Sequence, residues 1–344
     1  NLVRDLAATT TGYGNTAGYG LSQFGNNKLQ WEEQKMTNVG IDFALFKDAL
    51  SGSFDAYERR TNMLYTSSAL SAAPGAGASI AGNNGSLSNS GLELSLRYKV
   101  LRKSALKMEV YANASYNKNE YKDIKEQIGD LTIETNGGLI SEYYYVPYMG
   151  VNQANGELLF LDINGNLTEN PTLNDRRMSG KNFVPVYQGG FGFNMDYKGF
   201  FLDAQWNWVK DVWRFDYALS WLYEPSYLTD NNMSVDILNA WTPTNTNTNI
   251  PSLDAVNYSQ GGDLSDQWLR DASYLRLRNV SFGYTFDKKL LKGTGINGMK
   301  LFVQGENLYT WTKWRGFDAD ASDASNLSRF PSPKTVSFGV NVDF

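Results

Sequence analysis

The chain has 344 residues, 31 basic and 36 acidic, with neither cysteine nor histidine. That excludes disulfide frameworks, thiol nucleophiles, Ser-His-Asp triads and zinc sites built on Cys or His. The formal net charge is −5 with no basic patch, so nucleic acid is not an expected partner. A mean hydropathy of −0.43 and the lack of a long apolar run exclude a membrane-spanning helix, but not a β-barrel, whose strands are half polar.

Asn1-Leu-Val-Arg4 has no charged start followed by an apolar core, so a secretory leader is expected to have been cleaved or to lie upstream. Nine strands are predicted, over 36–46, 50–65, 88–100, 106–122, 185–198, 200–215, 273–287, 299–313 and 335–344. Alternation with period two carries them. Val39, Ile41, Phe43 and Leu45 share a face opposite Gly40, Asp42 and Ala44. Leu92, Leu94, Leu96 and Tyr98 oppose Glu93, Ser95, Arg97 and Lys99. Phe191, Phe193, Met195 and Tyr197 oppose Gly192, Asn194, Asp196 and Lys198. Leu202, Ala204, Trp206 and Trp208 oppose Asp203, Gln205 and Asn207. The pattern slips between Leu275 and Val280, where a bulge is expected, and resumes at Phe282, Tyr284 and Phe286. The final run is strictly alternating: Val336, Phe338, Val340, Val342 and Phe344 on one side, Thr335, Ser337, Gly339, Asn341 and Asp343 on the other. It reads as a barrel's closing strand, with an apolar lipid face and a polar lumen face.

The links alternate short and long. Short ones fall at 47–49, 101–105, 199 and 288–298, and long ones at 66–87, 123–184, 216–272 and 314–334. Short periplasmic turns and long extracellular loops give this alternation, and it places the C-terminus in the periplasm. Nine is odd, whereas single-chain bacterial barrels have even counts, so further wall is expected upstream of residue 1.

The long loops carry the candidate binding residues. Tyr143, Tyr144, Tyr145 and Tyr148 form one aromatic cluster, and Trp221, Tyr223, Tyr227 and Trp241 another. Flat rings on outer loops suit stacking on sugars or packing on peptides; the alternative is loop packing or contact with a partner protein. Asp162-Ile-Asn-Gly-Asn166 opens like a calcium loop, with Asp162, Asn164 and Asn166 as candidate ligands. Leu167 and Leu173 then stand where an EF-hand requires Gly and Glu, so an Asx-Gly turn is the competing reading. Asp318, Asp320 and Asp323 read as a solvated acidic loop. Trp206, Trp208, Trp311 and Trp314 read as interfacial girdle residues, and Asp42, Glu93, Arg97, Lys198 and Asp203 as lumen charges. Ser234 caps a short helix predicted to begin at Val235.

Several segments together resemble one family. They are Leu29-Gln-Trp-Glu32, Thr37-Asn-Val-Gly-Ile-Asp42, Leu50-Ser-Gly-Ser-Phe-Asp-Ala-Tyr57 and Asn89-Ser-Gly-Leu-Glu-Leu94, followed by Pro185-Val-Tyr-Gln-Gly-Gly190 and Tyr197-Lys-Gly-Phe200. Ala240-Trp-Thr-Pro243, Ser273-Tyr-Leu-Arg-Leu-Arg-Asn279 with Gly283-Tyr284, Gly305-Glu-Asn-Leu308 and Pro331-Ser-Pro-Lys-Thr335 complete the series. In this order and spacing the chain, over residues 1–344, resembles the C-terminal part of the barrel of the SusC/RagA-like TonB-dependent outer-membrane transporters of Bacteroidetes. The resemblance implies an all-β fold: about nine antiparallel strands of a large transmembrane barrel of about 22 strands, with long extracellular loops. It also implies a plug and N-terminal domains outside this chain, a SusD-like surface lipoprotein as partner, TonB contact through the missing part, and active import of glycans, oligosaccharides or peptides. No cofactor is implied apart from the calcium candidate. A passive porin or adhesion barrel is the main alternative, and a soluble carbohydrate-binding β-protein the next. An enzyme is not expected, because no nucleophile elbow or phosphate loop stands in its strand-to-helix context.

Overall fold

Long runs of period-two alternation favour strands that present one apolar and one polar face. The computed structural model describes residues 5–9, 18–23, 26–69, 79–101, 105–128, 131–228, 231–258, 264–320 and 330–344. Among them, nine long strands form one antiparallel sheet. They are β1 (Glu33–Leu45), β2 (Leu50–Asn62), β3 (Ser86–Leu101), β4 (Leu106–Lys122), β5 (Tyr187–Tyr197), β6 (Phe200–Lys210), β7 (Tyr274–Thr285), β8 (Gly298–Thr312) and β9 (Thr335–Asp343). Each pairs with its chain neighbours, so the sheet is an up-and-down meander with β1 and β9 as open edges. The strands run from 9 to 17 residues, against about five or six in ordinary soluble sheets.

Because consecutive strands are antiparallel neighbours, all the short links lie at one end of the sheet and all the long ones at the other. The turn between β5 and β6 is the two-residue pair Lys198-Gly199, both with positive φ (48° and 92°). Lys198 is therefore a turn residue and not a lumen charge. Its backbone twist matches that of the flanking strands, which is why such turns suit tight hairpins.

The register makes one apolar face continuous across the sheet. Phe338 of β9 sits opposite Val303, Val303 opposite Phe282, Phe282 opposite Leu202 and Leu202 opposite Met195. Further along, Met108 leads through Val110 to Tyr98, Leu50 and Leu45. These side chains are open to the surroundings: Phe338 is 84% exposed and Val39 64%. A wall of this kind matches a lipid-facing surface, whereas a water-soluble sheet would cover it.

Aromatics border that band at both ends. Tyr197, Phe200 and Tyr284 lie in one row near the short turns, with Phe200 and Tyr284 ring centroids 4.7 Å apart. Near the long loops, Trp206 opposes Leu277 and then Tyr309, and Trp208 opposes Leu275 and then Trp311. From Phe200 to Trp208 the strand covers about 26 Å, or roughly 20 Å along the normal of a tilted strand, near the height of an outer-membrane apolar band. Trp314 is the exception. It is 5% exposed and packed with Val212, Ala272, Tyr274 and Ala319 beyond the wall, so it is a loop-core residue and not part of the girdle.

On the polar face, aromatic rings lie over glycines directly across the strand. Tyr57 covers Gly91, Tyr111 covers Gly192, Phe201 covers Gly283 and Phe302 covers Gly339. A Cβ at Gly283 would meet the Phe201 ring at 2.5 Å, so only glycine leaves the ring room to lie flat. The expected bulge is present: the β7 register shifts between Leu277 and Asn279, leaving Arg278 unmatched. The sixth strand ends earlier than its pattern suggests. Asp211 adopts φ 60°, and Trp213–Phe215 pairs with Leu269–Asp271 in a separate ribbon.

Candidate functional site

The long links are not open loops. Glu142–Tyr145 pairs with Thr132–Glu134 and Arg177–Met178, while Leu158–Leu161 pairs with Tyr148–Val151 and Leu167–Thr168. A helix, α1 (Tyr217–Tyr223), begins where the Asp216 carboxylate accepts from the Leu219 N–H at 2.9 Å. A 3-10 turn at Val235–Asn239 follows the Ser234 cap, as its sequence suggests. Leu131, Tyr143, Tyr145, Phe215, Tyr223, Ile237, Trp268 and Leu269 meet in one apolar core. The second and third long links therefore form a single packed cap over one end of the wall.

The two predicted aromatic clusters divide within this cap. Tyr143, Tyr145 and Tyr223 are 6–7% exposed and turned into its core. The Tyr143 hydroxyl donates to the Trp213 carbonyl at 3.1 Å, and burial pushes its pKa up. Burial likewise lifts Tyr145 and Tyr148 to about 12, so all three stay protonated at any physiological pH. Tyr144 lies under the Arg176 guanidinium, 5.0 Å from its ring centre. Trp241 ties the third link to the second: its indole N–H donates to the Gln153 carbonyl at 3.0 Å, and its ring fills the space a side chain at Gly156 would need. Trp221 and Tyr227 remain open, 51% and 43% exposed, beside Leu222 and Asn231. Of the eight aromatics, these two alone present broad surface outward.

Asp162 closes the turn between Leu158–Leu161 and Leu167–Thr168. Its Oδ1 accepts from the backbone N–H groups of Asn164 and Asn166, at 2.9 and 2.7 Å, and Oδ2 accepts from the Asn166 amide at 3.1 Å. These bonds hold its carboxyl below the usual carboxylate range. Gly165 takes φ 84° at the turn. Asp162 and Asn166 thus bind each other and the backbone. Among the described residues, no group of three or more acidic side chains could hold a metal ion.

Two features are absent from the sequence reading. The first is a buried clasp. Arg276, on the polar face of β7, is 3% exposed and pairs with Asp318, which is 8% exposed. The same guanidinium reaches Asp320 at 3.2 Å and Thr310 Oγ1 at 2.9 Å. Asp318 and Asp320 thus anchor the last long link to the inside of the wall and are not a solvated loop; Asp323 lies outside the described residues. The second is a cleft of about 750 Å³ in the cap, lined by Tyr148, Asp236, Gln267, Trp268, Arg270 and Arg315 among others. Its charged residues come from segments far apart in the chain, so no local spacing signals it. The wall's polar face also holds a hollow lined by Asp55, Glu93, Asn113, Gln188 and Asn207, which places Glu93 on the lumen side as its alternation suggests.

No family model matches the chain. Among curated proteins it is similar to two TonB-dependent receptors of Formosa agariphila. One is 29% identical over 94% of this chain and 35% of the relative, the other 27% over 96% and 37%. SusC of Bacteroides thetaiotaomicron, also a TonB-dependent receptor, is 25% identical over 93% of this chain and 32% of its own length. The chain thus spans about a third of the length of these relatives. A solved structure of the RagAB peptide transporter superposes over 99% of this chain and 38% of its own, with a TM-score of 0.84 and 25% identity. The RagAB peptide importer in its closed-closed state gives the same TM-score at 26% identity.

Proposed function

We propose, from its likeness to TonB-dependent receptors and to RagAB, that this chain is a segment of a SusC/RagA-like transporter barrel and forms part of the wall and cap of an outer-membrane importer of nutrients, either peptides or oligosaccharides. The apolar face meets lipid, the polar face meets the lumen, and the folded long links meet the outside medium. A plug and a TonB-contacting segment belong to the part of the protein beyond this chain, and a SusD-like lipoprotein covers the cap. Trp221 and Tyr227 are the predicted aromatics best exposed to touch ligand or that lipoprotein. In this orientation the last strand ends on the periplasmic side.

One observation carries the reading: the likeness runs through wall and cap alike, over 99% of the chain in fold and 93% or more in sequence. A peptide is one candidate cargo, because RagAB, similar in fold and sequence, is a peptide transporter; an oligosaccharide is the other. The test is energised uptake. Cells carrying the full-length gene should accumulate labelled oligopeptide or oligosaccharide, and a protonophore or loss of TonB should abolish that accumulation. A passive porin would equilibrate its solute with or without the proton gradient. Uptake that survives both treatments would refute active import.

A further inference from the structure

The two arginines of the cap cleft, Arg270 and Arg315, are paired unequally. Arg315 is neutralised, its Nη2 lying 2.7 Å from Asp236, which also accepts from the Tyr223 hydroxyl. Arg270 is half-buried and stacked over Trp268, with its guanidinium carbon 5.6 Å from the ring centre. One of its nitrogens, Nη1, donates to the Gln267 and Leu269 carbonyls. Among the described residues no carboxylate lies within 4.0 Å of it. Of the acids that face it, Asp216 is 1% exposed and Asp266 half-buried, and burial raises both carboxyls above the usual carboxylate range. This half-buried guanidinium thus has no carboxylate in direct contact, only the longer-range attraction of Asp216 and Asp266.

The neighbouring groups add a hydrogen-bonding requirement. Gln267 lines the cleft, is 7% exposed, and its Oε1 has no hydrogen-bond partner. The Tyr148 hydroxyl in the same cleft is also buried and unpartnered. Buried polar atoms without partners are uncommon in native proteins and indicate a missing partner. An anion on Arg270, an N–H aimed at Gln267 Oε1 and a carbonyl accepting from Tyr148 together describe a peptide with a carboxylate. Leu219, Ile250 and Pro251 supply apolar wall for its side chains. A sugar ring would require an open aromatic face, but Trp268 and Tyr223 are each only 7% exposed.

We propose that this cleft binds an extended acidic peptide, whose carboxylate pairs with Arg270 and whose backbone N–H donates to Gln267 Oε1. The inference rests on the import reading and names a substrate class for it. The test uses the purified full-length transporter and fluorescence anisotropy. Four probes are compared: a labelled hexapeptide with two glutamates and a free C-terminus, its amidated glutamine counterpart, a glucuronate oligosaccharide and maltohexaose. The acidic peptide should bind at least about tenfold tighter than its amidated counterpart, as expected for a charge-assisted pair. Arg270→Gln should erase that preference. Gln267→Met, which fills the same space without the acceptor, should weaken both peptides severalfold while leaving hydrogen exchange of the cap unchanged.

Equal binding of the two peptides would overturn the proposal. So would tighter binding of the glucuronate, or an acidic-peptide affinity untouched by both variants. The two readings fail separately: energised uptake that continues while the peptide preference is absent removes the Arg270 site and leaves import standing. Peptide preference lost in Arg270→Gln, in a protein that supports no energised uptake, keeps the site and removes the importer.

Discussion

Replacing Asp318 with alanine should release the last long link from the wall without unfolding the wall itself. In the native structure the Asp318 carboxylate faces the Arg276 guanidinium and accepts the backbone N–H groups of Asp320 and Ser332, both at 3.0 Å. Its removal leaves a buried guanidinium supported by Asp320 and Thr310, together with two orphaned N–H groups. Breaking one side of a buried pair costs about 3–5 kcal/mol. If opening of the link is what the clasp opposes, amide exchange over 313–320 should quicken on the order of 10²–10³-fold, by the conversion of about 1.4 kcal/mol per tenfold. Hydrogen exchange of the full-length protein, read peptide by peptide, is the assay; peptides from β3 and β4 serve as internal controls. Asp318→Asn keeps the shape but loses the charge and should give a smaller effect, about 1.5–3 kcal/mol. Arg276→Met with Asp318→Leu should cost less than the sum of the single changes, because neither leaves the other's charge stranded. Unchanged exchange over 313–320 in Asp318→Ala would refute the clasp.

Three further outcomes are expected. Burial raises the Asp318 carboxyl, but Arg276 and the N–H groups of Asp320 and Ser332 outweigh it and hold the pKa at about 2. A depressed carboxyl stabilises fully above its ordinary value and loses that contribution as pH falls through the folded value, so the link's protection against exchange, with the intrinsic pH dependence of amide exchange divided out, should be flat from pH 5 to 8 and fall only in strong acid, below about 4. Phe282→Arg, mid-band on the apolar face, should cost about 2–4 kcal/mol of stability in denaturant titrations of the folded barrel in lipid, while Ser281→Arg on the polar face should cost little. Gly283→Val should displace the Phe201 ring and lower stability by about 1–3 kcal/mol in the same titration, with Ser281→Val as the control on the same face.

The wall was legible because its physics is local. A strand between lipid and lumen must alternate at every step, so Val39 to Leu45, Leu92 to Tyr98 and Val336 to Val342 each declare their faces without reference to the rest of the chain. Even the slip at Arg278 showed in the pattern. The cap was not legible, because its order is tertiary. Tyr143 and Tyr145 look like display aromatics in sequence, and only the arrival of Phe215, Tyr223 and Trp268 from the third link buries them. Trp314 follows closely on Trp311 near the end of its strand, so the same girdle logic covers both; the fold separates them by packing Trp314 against Val212 and Ala272. Arg276 and Asp318 sit 42 residues apart, and acidic residues between Gly316 and Asp320 read as solvated until a buried cation meets them. Arg270 and Gln267 stand out only once burial and the lack of partners are known.

Cysteine accessibility tests directly whether the wall spans the outer membrane with its long links outside. The chain contains no cysteine, so single cysteines can be placed at Thr246 in the third long link and at Lys289 in the last short one, with any cysteine elsewhere in the protein removed. Intact cells treated with a membrane-impermeant maleimide should label the Thr246→Cys protein, and should label Lys289→Cys only after the outer membrane is permeabilised. Labelling of both positions on intact cells, or of Lys289→Cys alone, would contradict the orientation and the spanning wall with it.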